Sequence, residues 1–324
     1  MAPMGLGPHG ERAFPAEKLM LTDSEGERAR AGRFIVAIVL HTTTSDWSRQ
    51  ELAGMVATLG HYGATVGEIV DCGFDKGKQN RELSRLAGSA VHAVISLPIG
   101  SSEVAIGHRA IGKAGKILVL LDNAPSGLLH GVDYVCLCSA DNFGIGAIAA
   151  ELISPFVPEE GVVGILTYRA EFFVTNEREL AFRKWMGAHR ADATLVRGRF
   201  DKLEDAGAAY TALLAENADL DAAFVAWDVP ALEALSAIAR GARAVPLVTV
   251  DLGNEIAAEL RKNGPLKGVA AQRPYDQGAA AARATLLGLI GHPPPAWISS
   301  TGLRVTRENL AEAYWAVWHA PAPP

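Results

Sequence analysis

The chain has 324 residues, 49% of them hydrophobic and 20% charged, with a net charge of −6 at pH 7. That is apolar mass for about two ordinary domains, and an acidic balance with scattered Lys and Arg excludes the basic field that nucleic-acid binding needs. The longest apolar run, residues 34–40, is strand-sized and too short to span a bilayer, and three cysteines (Cys72, Cys136, Cys138) make no disulfide framework.

Residues 1–32 are rich in Gly, Pro, Glu and Arg and read as a flexible leader with one helical turn around residues 25–31. This stretch has no signal-peptide core, so the chain as it stands carries no export signal and is cytoplasmic if the start is authentic. A strand opens at Phe34 and is apolar throughout, as a parallel strand buried on both faces should be. Helical patterns at residues 50–62, 76–87, 102–114 and 143–153 then alternate with strand-like runs at 65–70, 93–97, 117–121 and 134–138. Pro155 and Pro158 stop the last of these helices.

The rhythm restarts at Val162. Strands are predicted at residues 162–166, 194–197, 222–226, 247–250 and 267–271, and helices at 176–189, 204–216, 231–240, 255–262 and 276–289. Residues 297–318 hold a short strand and a terminal helix, and the proline-rich residues 319–324 fray. Such alternation specifies an α/β fold of two blocks, each a parallel sheet with helices on both faces. Ligands of such sheets bind outside the carboxyl ends of the strands.

Polar and aromatic residues recur at those ends. The first strand is followed by Asp46, Trp47 and Arg49, and the run at 117–121 by Asp122 and Asn123. The run at 222–226 precedes Trp227 and Asp228, the run at 247–250 precedes Asp251, and the run at 267–271 precedes Gln272 and Arg273. Carboxylates and amides pair with neighbouring hydroxyls, the Arg fork spans vicinal oxygens, and flat aromatic faces cover the C–H face of a sugar. This mixture suits a neutral polyol better than an anion. Each residue also has a bland reading: Asp46 as a helix N-cap, Trp47 as packing, Asp122 and Asp228 in turns or caps, Asp251 as the cap of the next helix, Gln272 and Arg273 as loop before Pro274.

Other features carry less. Cys136 and Cys138 share one face of a strand and read as buried thiols rather than metal ligands. His41, His61, His92 and His108 read as isolated structural or surface residues. Gly144 and Gly146 lack the third glycine of a dinucleotide loop. There is no nucleophile elbow, phosphate loop or metal-ligand spacing, and no cofactor is expected.

Residues 37–54 and 118–123, the run Ser139-Ala-Asp-Asn-Phe-Gly, and residues 175–182, 224–228, 248–251 and 271–272 resemble the ribose/galactose-type substrate-binding proteins of bacterial ABC transporters. The same domain forms the effector-binding core of the lactose-repressor family. The resemblance implies the type 1 periplasmic binding protein fold: two Rossmann-like lobes joined by a three-stranded hinge that closes on ligand. Lobe I then comprises residues 33–139 and 273–296, lobe II residues 140–272 and 297–318, with crossovers near residues 139–141, 272–274 and 295–299. It assigns Asp46, Trp47, Asp122, Asp228, Asp251 and Gln272 to ligand binding and adds Asn176 and Arg178, with Phe172, Phe173 and Phe200 as further walls. Trp227 stands where the family carries Asn, which leaves the ligand's identity open.

The implied function is reversible capture of a sugar or polyol by a monomer that serves an ABC permease in the periplasm. A ligand sensor with the same core is the alternative. A sugar-acting enzyme using Asp122 and Asp251 as an acid–base pair ranks last.

Overall fold

Strands buried on both faces are apolar along their whole length, whereas edge strands alternate, and both patterns occur in the computed structural model, which describes residues 4–169 and 172–322. The chain divides into two units, Met1–Ala140 with Pro274–Ser300, and Asp141–Arg273 with Thr301–Pro324. It passes between them at 140/141, 273/274 and 300/301.

The first unit contains β1 (Phe14–Pro15), β2 (Ile35–Leu40), β3 (Thr65–Asp71), β4 (Ala93–Ser96), β5 (Ile117–Leu121), β6 (Cys136–Ala140) and β12 (Trp297–Ser300). They form a parallel sheet in the order β1-β12-β6-β5-β4-β2-β3. Its helices are α1 (Asp23–Gly32), α2 (Asp46–His61), α3 (Lys76–Ala87), α4 (Ala105–Lys113) and α10 (Pro274–Leu289). Helix α2 lies very close to α10: a Cβ on Gly54 would overlap the Tyr275 carbonyl, and one on Gly278 the Glu51 carbonyl. Only glycine permits that approach.

The second unit repeats the plan with β7 (Val162–Tyr168), β8 (Thr194–Phe200), β9 (Leu220–Val225), β10 (Leu247–Val250), β11 (Leu266–Ala271) and β13 (Leu303–Val305). The order is β13-β11-β10-β9-β7-β8, parallel except for the β11–β13 pair. Helices α5 (Asn142–Ile153), α6 (Phe173–His189), α7 (Ala206–Glu216), α8 (Asp228–Ala239), α9 (Asn254–Arg261) and α11 (Leu310–Trp318) cover it. Gly146 lets α5 meet α6, since a Cβ there would overlap the Arg178 carbonyl, so this glycine serves packing.

The start of the chain departs from the flexible leader expected for residues 1–32, of which 1–3 lie outside the described residues, as do Pro323 and Pro324 of the expected frayed tail. Phe14 and Pro15 pair with Ile298 and Ser299, and Ala16, Leu19, Leu21 and Ala29 are buried. Helix α1 begins at a capping box: Thr22 Oγ1 accepts from Glu25 N at 3.3 Å, and Thr22 N donates to Glu25 Oε2 at 2.8 Å. Glu25 also meets His292 Nδ1 at 2.8 Å, which ties α1 to the loop after α10. The apolar residues here are too sparse for a periodic signal, and they are buried only through tertiary contacts.

The lobe boundary near the end of the chain also shifts. Trp297–Ser300, expected in lobe II, is a strand of the first unit, where the buried Trp297 indole donates to Ser139 Oγ at 2.8 Å.

Candidate ligand-binding site

In the first unit the sequence-predicted residues gather at the carboxyl ends of β2 and β5. Ser45 caps α2, accepting from Ser48 N at 3.1 Å, so the N-cap reading of Asp46 is corrected: Asp46 is the first helical residue and pairs with Arg49. Arg49 also donates to the Thr44 carbonyl at 2.9 Å and is exposed. The Trp47 indole N–H is buried and has no hydrogen-bond partner.

His41, read from sequence as isolated, lies edge-on to Trp47, ring centroids 6.0 Å apart, and edge-on to Phe74 at 5.0 Å. Burial pushes the His41 imidazole down to about 4 against the pull of Asp71, so the ring is neutral at neutral pH, and its Nδ1 has no partner. Phe74 sits at φ 58°, a conformation that a bulky side chain rarely adopts. Asp71 holds the two loops together, accepting from Thr43 N at 2.9 Å, Thr43 Oγ1 at 2.7 Å and Gly73 N at 2.8 Å. No local pattern announces the His41–Trp47–Phe74 group, because it is assembled across β2 and β3.

Asp122 follows β5 at φ 55° and is buried, its Oδ1 accepting from Gln277 Nε2 on α10 at 2.8 Å. Asn123 is buried as well, but its amide nitrogen donates to the Gly100 carbonyl at 2.7 Å. That group supports the loop after β4.

The second unit mirrors this arrangement. Asp251 follows β10 at φ 70°, is buried, and its Oδ1 accepts from Gln272 Nε2 at 2.7 Å. Helix α9 takes Gly253 as its N-cap and has no side-chain cap, so the capping reading of Asp251 is corrected. Burial pushes the Asp251 carboxyl above its usual range, against the pull of the Arg178 guanidinium and the Gln272 hydrogen bond. Arg178 is itself buried and donates to Asn142 Oδ1 at 2.9 Å and to the Ala226 carbonyl at 3.2 Å. Asn176 is exposed on α6; two residues from Arg178, it lies about 200° around the helix, away from that cluster.

Trp227 is half-buried and packs edge-on to Tyr168 at 5.9 Å and tilted against Phe200 at 5.5 Å. Phe200 is a core residue rather than a wall, whereas Phe172 tilts against Tyr168 at 6.3 Å and Phe173 starts α6. Asp228 is the first residue of α8, and its Oδ1 accepts from Val229 N at 2.8 Å. Gln272 Oε1 and Arg273 Nε are buried without partners. Sequence reasoning missed His41, Phe74, Gln277, Tyr168 and Asn142.

Each unit thus presents an aspartate in left-handed backbone at a strand end, fixed by a glutamine amide, and carries a tryptophan after another strand, Trp47 after β2 and Trp227 after β9. Left-handed conformations cost about 1–2 kcal/mol for most residues and less for Asp and Asn, and they concentrate where function maintains them. The described residues contain no group of three or more His, Cys, Asp or Glu placed to hold a metal ion, and no helix among them is long and apolar enough to cross a membrane.

Two parallel-sheet units exchanged three times along one chain define the type 1 periplasmic-binding architecture. The chain belongs to the periplasmic binding protein domain family, whose model matches residues 36–292. This is the family that the sequence resemblance implies.

A solute-binding protein of an ABC transporter from Agrobacterium vitis, solved with α-D-tagatopyranose, superposes with a TM-score of 0.81 at 19% identity, over 90% of this chain and 100% of that one. One from Mycobacterium smegmatis with bound glycerol gives 0.79 at 19% identity, over 90% and 99%. One from Bacillus halodurans with bound myo-inositol gives 0.77 at 16%, over 88% and 98%. No curated protein sequence matches the chain significantly.

Proposed function

We propose that the chain is the solute-binding component of a sugar or polyol ABC transporter. It captures its ligand reversibly, without changing it, and delivers it to a membrane permease from the periplasm. Ligand binds at the carboxyl ends of the strands of both units and draws them together by hinge motion, as a monomer. In this reading Asp46, Trp47, Arg49, Asp122, Asp228, Asp251, Gln272 and Arg273 supply hydrogen bonds or a stacking face, with Arg178 and Trp227 from the second unit and His41 added to the set. Asn123 and Asn176 contribute less, one occupied in its loop and the other exposed.

The observation that carries this reading is the strand-end aspartate in left-handed backbone held by a glutamine amide, repeated in both units. Fixed acceptors, unpartnered donors at Trp47 and Arg273 and a neutral imidazole suit vicinal hydroxyls. A net charge of −6 favours a neutral ligand over an anion. The ligands named for the structural relatives are likewise neutral polyhydroxy compounds.

A thermal-shift screen of pentoses, hexoses, alditols and inositols tests the proposal. A true ligand at one hundred times its dissociation constant stabilises the fold by about 2.7 kcal/mol, easily seen as a raised melting temperature. A flat response across the whole panel removes the polyol reading. Chemical conversion of a bound sugar would favour the enzyme instead.

A further inference from the structure

Glu51 is fully buried on α2 where that helix crosses α10, and neither of its carboxyl oxygens has a hydrogen-bond partner. Gln277 reaches it from α10, is itself buried, and has an orphaned Oε1. The Gln277 nitrogen is committed, since it donates to Asp122 Oδ1 at 2.8 Å. The amide oxygen therefore needs a donor, and an ionised carboxylate is an acceptor only.

The titratable groups facing Glu51 are Asp122 at the end of β5 and Cys138 on β6, with no cation acting on it among the described residues. An unpaired carboxylate buried among such neighbours costs several kcal/mol, so the group binds a proton instead. Burial, with Asp122 and Cys138 adding to it, holds the Glu51 carboxyl well above the usual carboxylate range. A proton on Glu51 removes the buried charge, and Gln277 Oε1, an orphaned acceptor on the side chain that acts on Glu51 from α10, is a group that the protonated acid can serve and the carboxylate cannot.

We propose that protonated Glu51 is a positioning residue that steadies the Gln277–Asp122 pair, so that its ionisation loosens Asp122 and weakens ligand binding. The binding half of this inference rests on Asp122 being a ligand contact, as proposed above. The sign follows from linkage. A carboxyl raised in the folded state contributes stability that is intact in acid and is lost as pH rises toward the folded value. The folded protein itself ionises Glu51 only around and above that value, so Asp122 loses its fixed orientation, and affinity falls, at the alkaline end of the stability loss.

The test uses the full chain as wild type, Glu51→Gln, Glu51→Leu and Gln277→Leu, from neutral to alkaline pH. Without ligand, infrared spectroscopy on protein with isotope-labelled glutamate reads a protonated-acid carbonyl band at neutral pH that Glu51→Gln lacks. The wild-type melting temperature falls toward alkaline pH, and Glu51→Gln flattens that fall. Calorimetry then uses D-tagatose, allitol and myo-inositol as probes. Glu51→Gln keeps wild-type affinity within about twofold, and Glu51→Leu and Gln277→Leu each lose about tenfold, the scale of one hydrogen bond.

Glu51→Leu leaves Gln277 Oε1 buried without a donor and melts below Glu51→Gln, so affinities are read well below both melting temperatures, where a loss in the folded protein separates positioning from folding. A missing band, or an alkaline fall no shallower in Glu51→Gln than in the wild type, overturns the protonation. Wild-type affinity in Glu51→Leu overturns the positioning role. A band present in a wild type that binds none of the three probes overturns the reading of Asp122 as a sugar contact, and the coupling with it.

Discussion

Replacing Asp251 by Asn should weaken ligand binding without weakening the fold. Asp251 sits at φ 70°, and among residues with a Cβ only Asn shares its tolerance of that conformation, so the change leaves the backbone unstrained. Alanine would add left-handed strain of about 1–2 kcal/mol and confuse the result. The carboxylate is buried, accepts from Gln272 at 2.7 Å, and is pushed above its usual range despite the facing Arg178. Its charge therefore does not favour folding of the unliganded protein, and an amide of equal shape should melt within a few degrees of the wild type or higher.

Bound hydroxyls lose a charge-assisted acceptor, worth about 1.5–3 kcal/mol, or roughly 10- to 150-fold in affinity. Paired calorimetry and thermal melts on Asp251→Asn and the wild type read both quantities. Unchanged affinity for a ligand found in the screen, or an affinity loss matched by general unfolding, would refute the reasoning.

Gly54→Ala should destabilise the first unit, because the new methyl group overlaps the Tyr275 carbonyl and must push α2 from α10 at a cost of about 1–3 kcal/mol. Thermal melts check this, with Gly60→Ala, which meets nothing within 4 Å, as the control. Acid should weaken the fold through His41 and His108, both pushed from 6.5 down to about 4 by burial. The unfolded chain takes up these protons first, so stability is full above about pH 6.5 and falls as pH drops through that window. His41→Phe should shallow the fall seen in melts at stepped pH, and an unaltered profile counts against a neutral buried His41.

Elements were legible wherever the physics is local. The apolar run ending at Leu40, the glycine and proline stops and the helical periodicities specified two parallel-sheet blocks, because burial on both faces leaves a pattern within a few consecutive residues. Strand ends were legible for the same reason, and so Asp122, Asp251 and Gln272 could be singled out by position. Asn176 could not be told from Arg178, since exposure on a helix depends on what packs against it.

Tertiary structure decided what each strand-end residue touches. Gln277 lies 155 residues from Asp122, and His41 meets Phe74 only because β2 and β3 are neighbours in the sheet. Residues 14–32 carry too little apolar surface to announce a structure of their own, and they are ordered by β12 and His292 at the other end of the chain. Periodicity encodes which side of an element is buried. The partner that buries it is set by packing among segments remote in sequence, and no single segment holds that information.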